Sequence, residues 1–272
     1  MIKKLVLRNS GMFSNINEVI YNLYEAEKNN YKLCIVWKKS CYKDPTKKGN
    51  PWNYYFENIF DIDVKDLKKI PKVNHNKDKG TILKSRKISS FYINKYLKLK
   101  PHIQEKIKVF KEKYFKEYII GVQIRGFGKV KEINCNNKYL EGNWFEKEGI
   151  KVGIPYELYY KKIDDLLQKH HKAMIFLCSD SQDIIDKVKK DYGDKIITYD
   201  STRTSYGEMH RNPKIKNRYK LGEDVIIEAY LLSQTNCFVN IPSISNIVMF
   251  VLSKNKDLES IELCKDHRIH YI

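Results

Sequence analysis

The chain has 272 residues, 42% of them hydrophobic and 12% aromatic. That is enough to bury a sizeable core, as one large domain or two small ones, and too apolar for wholesale disorder. No apolar run approaches the ~20 residues that span a bilayer as a helix, and the apolar part of MIKKLVLRNSG is too short for a signal-peptide core, so the expectation is a cytoplasmic protein. The net charge of +18, from 51 Lys+Arg against 33 Asp+Glu, admits nucleic acid, peripheral contact with an anionic membrane, or an anionic substrate.

The lysines are spread along the chain rather than gathered in a tail, so a plain lysine-rich composition is the alternative to any polyanion partner. Zinc-finger spacing, an aromatic RNA-binding signature and a basic zipper are all missing from the sequence, and nucleic-acid binding is the less favoured class. The six cysteines form no C-x-x-C pair, and no histidines sit at zinc spacing. The sequence therefore predicts neither a disulfide framework nor a metal site.

In chain order, Leu5-Val6-Leu7 predicts a strand, Asn9–Asn15 a turn, and Ile16, Val19, Ile20, Leu23 and Tyr24 a helix, with Ser14 or Asn15 as its N-cap. Lys32–Trp37 predicts the next strand and completes a βαβ unit. The turn at Gly11, Ser14 and Asn15 lies at a strand's carboxyl end, where N–H groups at a helix start hold an anion; a capped helix without a ligand is the alternative. Trp52, Tyr54, Tyr55 and Phe56 are read as packing, with stacking on a sugar face as the alternative. Residues 72–90 are polar and without a period, and helical spacing follows on both sides of Pro101.

Tyr118–Lys129, YIIGVQIRGFGK, opens with a buried-strand pattern and ends in glycines. Ligands of open α/β sheets bind beyond the carboxyl ends of strands, which puts Arg125 at such a place, with a guanidinium fork that matches two phosphate oxygens. On these residues alone the alternative is an arginine paired with a surface carboxylate. Val130–Gly153 reads as an irregular loop over the strand end, a candidate lid. After it come a helix from Pro155, a strand at Ala173–Cys178, a helix at Asp183–Tyr192 closed by Gly193, and a strand at Ile196–Tyr199. The polar loop Ser201–Lys220 carries Arg203, and helix Asp224–Ser233, strand Cys237–Val239 and helix Asn246–Leu252 end the series. Alternating strands and helices predict an α/β fold with parallel sheets.

Three segments stand in a recognisable order: GVQIRG, then IFLCSDSQDIIDKVKKDYGDKIITYD, then LGEDVIIEAYLLSQTNCFVNIPSISNIV. Over residues 118–252 they resemble the α1,6-fucosyltransferase and protein O-fucosyltransferase superfamily of GT-B glycosyltransferases. The resemblance implies two Rossmann-like halves with parallel sheets facing a cleft. Residues 1–115 would form the acceptor side and 116–272 the nucleotide-sugar donor side.

The resemblance also implies site roles. Arg125 falls on the arginine that binds the β-phosphate of the nucleotide sugar, Gln123 where the family usually has histidine, and Gly126 where it usually has a second arginine. Glu228 falls on the aspartate that contacts guanine, Ser243 and Ser245 on serines near the diphosphate, and Asp180 closes the second motif with a structural role. A carboxylate at Glu228 can accept from guanine N1–H and N2–H₂ together, whereas uracil would oppose it with carbonyls. The alternative for Glu228 is a solvated helix face, but the spacing Val225–Glu228–Leu232 puts it near the buried stripe. Ser243 and Ser245 at a helix start form an anion site or an ordinary cap. Arg203 is a second phosphate candidate or a surface arginine.

The activity implied is inverting, metal-independent transfer of a sugar, fucose from GDP-fucose, onto a glycan acceptor. Arg125 would neutralise the leaving diphosphate, helped by Ser243, Ser245 and Lys129 or Arg203. Asp61-Ile62-Asp63 has the spacing of a metal-binding Asp-x-Asp but follows no clear strand. No catalytic base stands out; Glu18 and Glu25 are acidic residues of the first helix and nothing more specific. Gln123 and Gly126 depart from the family pattern, which leaves two alternatives open: the same fold with another nucleotide-sugar donor, or a basic polyanion-binding protein.

Overall fold

The computed structural model describes residues 1–60, 69–73, 85–126, 130–135, 138–147, 150–204, 209–241, 246–263 and 269–271, with 130–154, Arg211 and 269–271 as backbone. The chain divides into two compact units. The first comprises residues 1–109, 213–233 and 249–257, and the second 110–212, 234–248 and 258–272. The chain crosses between the units after residues 109, 212, 233, 248 and 257.

In the first unit, β1 (Ile2–Val6) pairs in parallel with β2 (Lys32–Val36), and Lys4 bridges to Lys72 on the other side of β1. Helix α1 (Met12–Lys28) joins them. Its Ile16, Val19, Ile20 and Leu23 are buried at the predicted spacing. Helix α2 (Arg86–Tyr96) is capped by the Ser85 side chain, and Pro101 opens α3 (Pro101–Tyr114). Trp52 stacks on Phe56 with ring centroids 4.4 Å apart, and Tyr55 on Tyr219 at 5.5 Å. Trp52, Tyr55 and Phe56 are all buried, so the aromatic segment packs the core as expected.

The second unit is built on a five-stranded parallel sheet whose order places β3 (Ile119–Gln123) at its centre. On one side of it lie β7 (Met174–Cys178) and β8 (Ile196–Ile197), on the other β9 (Cys237–Asn240) and β10 (Glu259–Glu262). Ile120, Val122, Ile175, Leu177, Cys237 and Val239 form its core with residues of α4 (Tyr156–Lys169) and α5 (Gln182–Tyr192). Gly121 sits inside β3 because a Cβ there would lie 2.6 Å from Thr235 Oγ1.

Three expectations are corrected. Val130–Gly153 is not an irregular loop: β4 (Val130–Cys135), β5 (Lys138–Lys147) and β6 (Ile150–Pro155) pair antiparallel, with β11 (Ile269–Tyr271) on the β6 edge. Helix α1 starts at Met12 with Gly11 as N-cap, not at Ser14 or Asn15. The Tyr42 hydroxyl accepts the Met12 N–H at 2.9 Å, so a distant side chain satisfies the helix start. Helix α6 (Arg218–Leu232) begins six residues before the expected Asp224, because the Asn217 side chain caps it by accepting the Lys220 N–H. The last helix is α7 (Asn246–Lys254). Among the described residues no helix is long and apolar enough to cross a membrane.

Candidate functional site

The site begins where β3 leaves its sheet. Gln123 pairs in register with Cys178, and the Ile124 N–H still donates to the Cys178 carbonyl at 3.0 Å. Arg125 and Gly126 follow, both half-buried. The carboxylate of Asp180, two residues past the end of β7, accepts the Gly126 N–H at 2.6 Å. Two neighbouring strand ends are thereby tied together by one charge-assisted bond.

Burial pushes the Asp180 carboxyl above its ordinary value, while the Gly126 N–H and the positive charge of Arg125 pull the other way, with a smaller pull from His210. Asp180 thus ties the two strand ends and lies within electrostatic reach of Arg125. At Gly126 a Cβ would lie 2.1 Å from Ser181 Cβ and 3.1 Å from the Ser181 backbone. No side chain fits there without moving the β7–α5 turn, which is the physical reason that this position carries no second cation.

The loop after β8 is stitched to the same edge. Thr204 bridges to Ser181, its N–H donates to the Asp180 carbonyl at 3.2 Å, and its carbonyl accepts from Gln182 at 3.4 Å. Arg203 lies in this loop. Its guanidinium donates to the carbonyls of Tyr199 at 2.7 Å and Ser201 at 3.2 Å, so part of its hydrogen-bonding capacity orders the loop itself. Gln123, Arg125, Gly126 and Arg203 therefore share the carboxyl edge of one sheet, and Asp180, Ser181 and His210 join them. Ser243, Ser245 and Lys129 lie outside the described residues.

Glu228 belongs to the first unit, on α6, and is 7% exposed; it is buried as expected, but because the helix is buried nearly all round, with Val225 half-buried, and not because of a stripe through Val225 and Leu232. The same helix buries Glu223 and Asp224. Glu223 receives Lys106 at 2.5 Å and the Tyr219 hydroxyl at 2.8 Å, and Asp224 receives Lys220 at 2.8 Å. Each of these two buried carboxylates has a cation, as burial of charge requires.

At the end of β1 the turn through Gly11, Ser14 and Asn15 is closed internally. Asn15 accepts the Arg8 N–H at 3.1 Å and donates to the carbonyls of Arg8 and Ser10, each at 3.1 Å. Both ends of its amide are engaged within the chain. Arg8 reaches Ser14 Oγ at 3.4 Å and lies 3.9 Å from the buried carboxylate of Glu18. Tyr42 and Trp37, whose Nε1 donates to the Arg8 carbonyl at 3.0 Å, complete this turn from residues that no local sequence signal marks. Among the described residues no group of three or more His, Cys, Asp or Glu could hold a metal ion.

Comparison with known proteins gives the chain a family. The family described as nodulation protein Z (NodZ) matches residues 85–258. The chain belongs to the NodZ family. Among solved structures, the fold matches NodZ α-1,6-fucosyltransferase co-crystallised with GDP, with a TM-score of 0.57 at 15% identity over 99% of this chain and 96% of that one. The same enzyme soaked with GDP-fucose gives a TM-score of 0.57 at 15% identity, covering 99% and 98%. A variant of Arabidopsis thaliana FUT1 in complex with GDP gives 0.54 at 11% identity, covering 96% and 70%. No curated protein sequence matches the chain significantly. The chain is thus a NodZ-family glycosyltransferase with the GT-B-like fold of these fucosyltransferases.

Proposed function

We propose that this NodZ-family protein transfers fucose from GDP-fucose to a glycan acceptor, inverting the anomeric carbon and requiring no metal ion. The observation that carries the reading is Arg125, placed at the carboxyl end of the central strand β3 beside the Gly126–Asp180 tie. Its fork meets two oxygens of the β-phosphate and neutralises the diphosphate as the bond to the sugar breaks. Arg203, Ser243 and Ser245 assist at the phosphates, Gln123 lines the sugar side, and Glu228 accepts from the guanine edge. The acceptor hydroxyl approaches from the opposite face of the sugar ring, which produces inversion. The related structures with GDP and GDP-fucose support this donor.

A thermal-shift panel of GDP, UDP, dTDP and a short DNA duplex tests the donor. Stabilisation by GDP alone is expected, and a shift with DNA alone would refute the enzyme reading. Product NMR decides the anomeric configuration, and turnover in excess EDTA decides metal dependence. An acceptor library of cell-surface glycans, screened with GDP-fucose in the cytoplasmic fraction of expressing cells, names the acceptor and the compartment.

A further inference from the structure

A cavity of about 590 Å³ lies along the β2 edge of the first unit, within the size range of small-ligand sites. Its base is apolar, with the buried side chains of Leu33, Ile35 and Trp52 and the half-exposed ring of Phe60. Asn50 closes one end by substituting for a neighbouring strand: it donates to the Ile35 carbonyl at 2.7 Å and accepts the Trp37 N–H at 3.0 Å. Lys38, Lys43, Asn53 and Asn58 also line the cavity, and all four are exposed. The described residues that line it include no aspartate or glutamate.

The half-exposed ring of Phe60 suits the C–H face of a sugar ring, and side-chain amides at the rim suit its hydroxyls. Lys38 and Lys43 at the rim bring two ammonium groups to the cavity, which favours an anionic ligand.

We propose that this cavity binds an acidic saccharide, a glycan bearing carboxylate or a comparable anionic group. Lys38 and Lys43 meet the charge, Asn53 and Asn58 the hydroxyls, and Phe60 the ring face. The inference goes beyond the transferase reading and rests on it only in taking the ligand to be a glycan.

Cys34 lines the cavity, half-buried, with a free thiol, and it supplies the readout. The full chain is alkylated with iodoacetamide, and Cys34 labelling is followed by peptide mass spectrometry in the presence of trigalacturonate, maltotriose or inorganic phosphate. Trigalacturonate should slow Cys34 labelling severalfold, and maltotriose should not. The half-protecting concentration should rise about tenfold in Lys38→Ala/Lys43→Ala, equivalent to about 1.4 kcal/mol. Absence of protection, equal protection by phosphate alone, or protection unchanged in the double variant would each overturn the proposal. If the double variant loses its melting transition, Lys43→Gln alone carries the same comparison. GDP-induced stabilisation, measured in parallel, separates the two readings. A GDP shift without Cys34 protection refutes the saccharide cavity alone. Protection without a GDP shift refutes the donor assignment alone.

Discussion

Two turns in this protein occupy equivalent places, each at the carboxyl end of a parallel strand, and they are closed by different means. The turn after β1 is held by the neutral amide of Asn15, which bonds to the backbone of Arg8 and Ser10, and by the Tyr42 hydroxyl on Met12. The turn after β3 is held by one carboxylate, Asp180, on the Gly126 N–H, with the charge of Arg125 acting on the same carboxylate. A neutral tie is indifferent to pH. A charged tie fixes the backbone and also gives the adjacent guanidinium an electrostatic neighbour, so its strength depends on protonation.

The largest effect should come from the cation that distinguishes the second turn. Arg125→Ala should remove GDP-induced thermal stabilisation and lower kcat by about 10²–10³-fold; normal turnover by this variant would remove Arg125 from the mechanism. Gly126→Ala should follow closely. Its methyl would overlap Ser181 and displace the strand end, lowering kcat/KM by about 100-fold. Gly11→Ala, whose added methyl carbon would meet nothing within 4 Å, should be nearly silent in the same assay. Equal responses at the two glycines would erase the contrast between the turns.

Asn15→Ala should act on stability rather than on pH response. The residue is fully buried, and the loss strands backbone groups at a cost of about 1–3 kcal/mol, measured by urea denaturation. The smallest effect, and the most diagnostic, concerns Asp180. Its pKa is raised in the folded state, so the folded protein binds the proton more tightly than the unfolded chain. Stability is therefore greater below the ordinary carboxylate value and declines as pH rises through the folded value. Asp180→Asn keeps an acceptor for Gly126 and removes that decline, so its melting temperature should gain on the parent as pH rises from 4 to 7. A constant difference across that range would show that Asp180 does not titrate as described.

Much of the second unit was legible because its strands announce themselves. Ile119–Val122, Ile175–Cys178 and Cys237–Val239 are apolar runs, and a strand buried on both faces has no polar alternation to confuse the pattern. The intervening helices show their 3.6-residue spacing, and Gly193 marks a helix end as expected. The antiparallel strands β4–β6 were not legible, because their sequences mix charged and aromatic residues and only pairing between strands reveals them. The start of α1 escaped for a related reason: its cap is Tyr42, thirty residues away in sequence.

The sequence by itself determined the parallel α/β class and the strand that leads to Arg125, since hydrophobic periodicity and glycine placement are local properties. Only the tertiary structure decided why Gly126 carries no side chain and what Asp180 holds. Both answers depend on the distance between two strand ends 54 residues apart in sequence, and that distance is set by sheet packing, which no local pattern records.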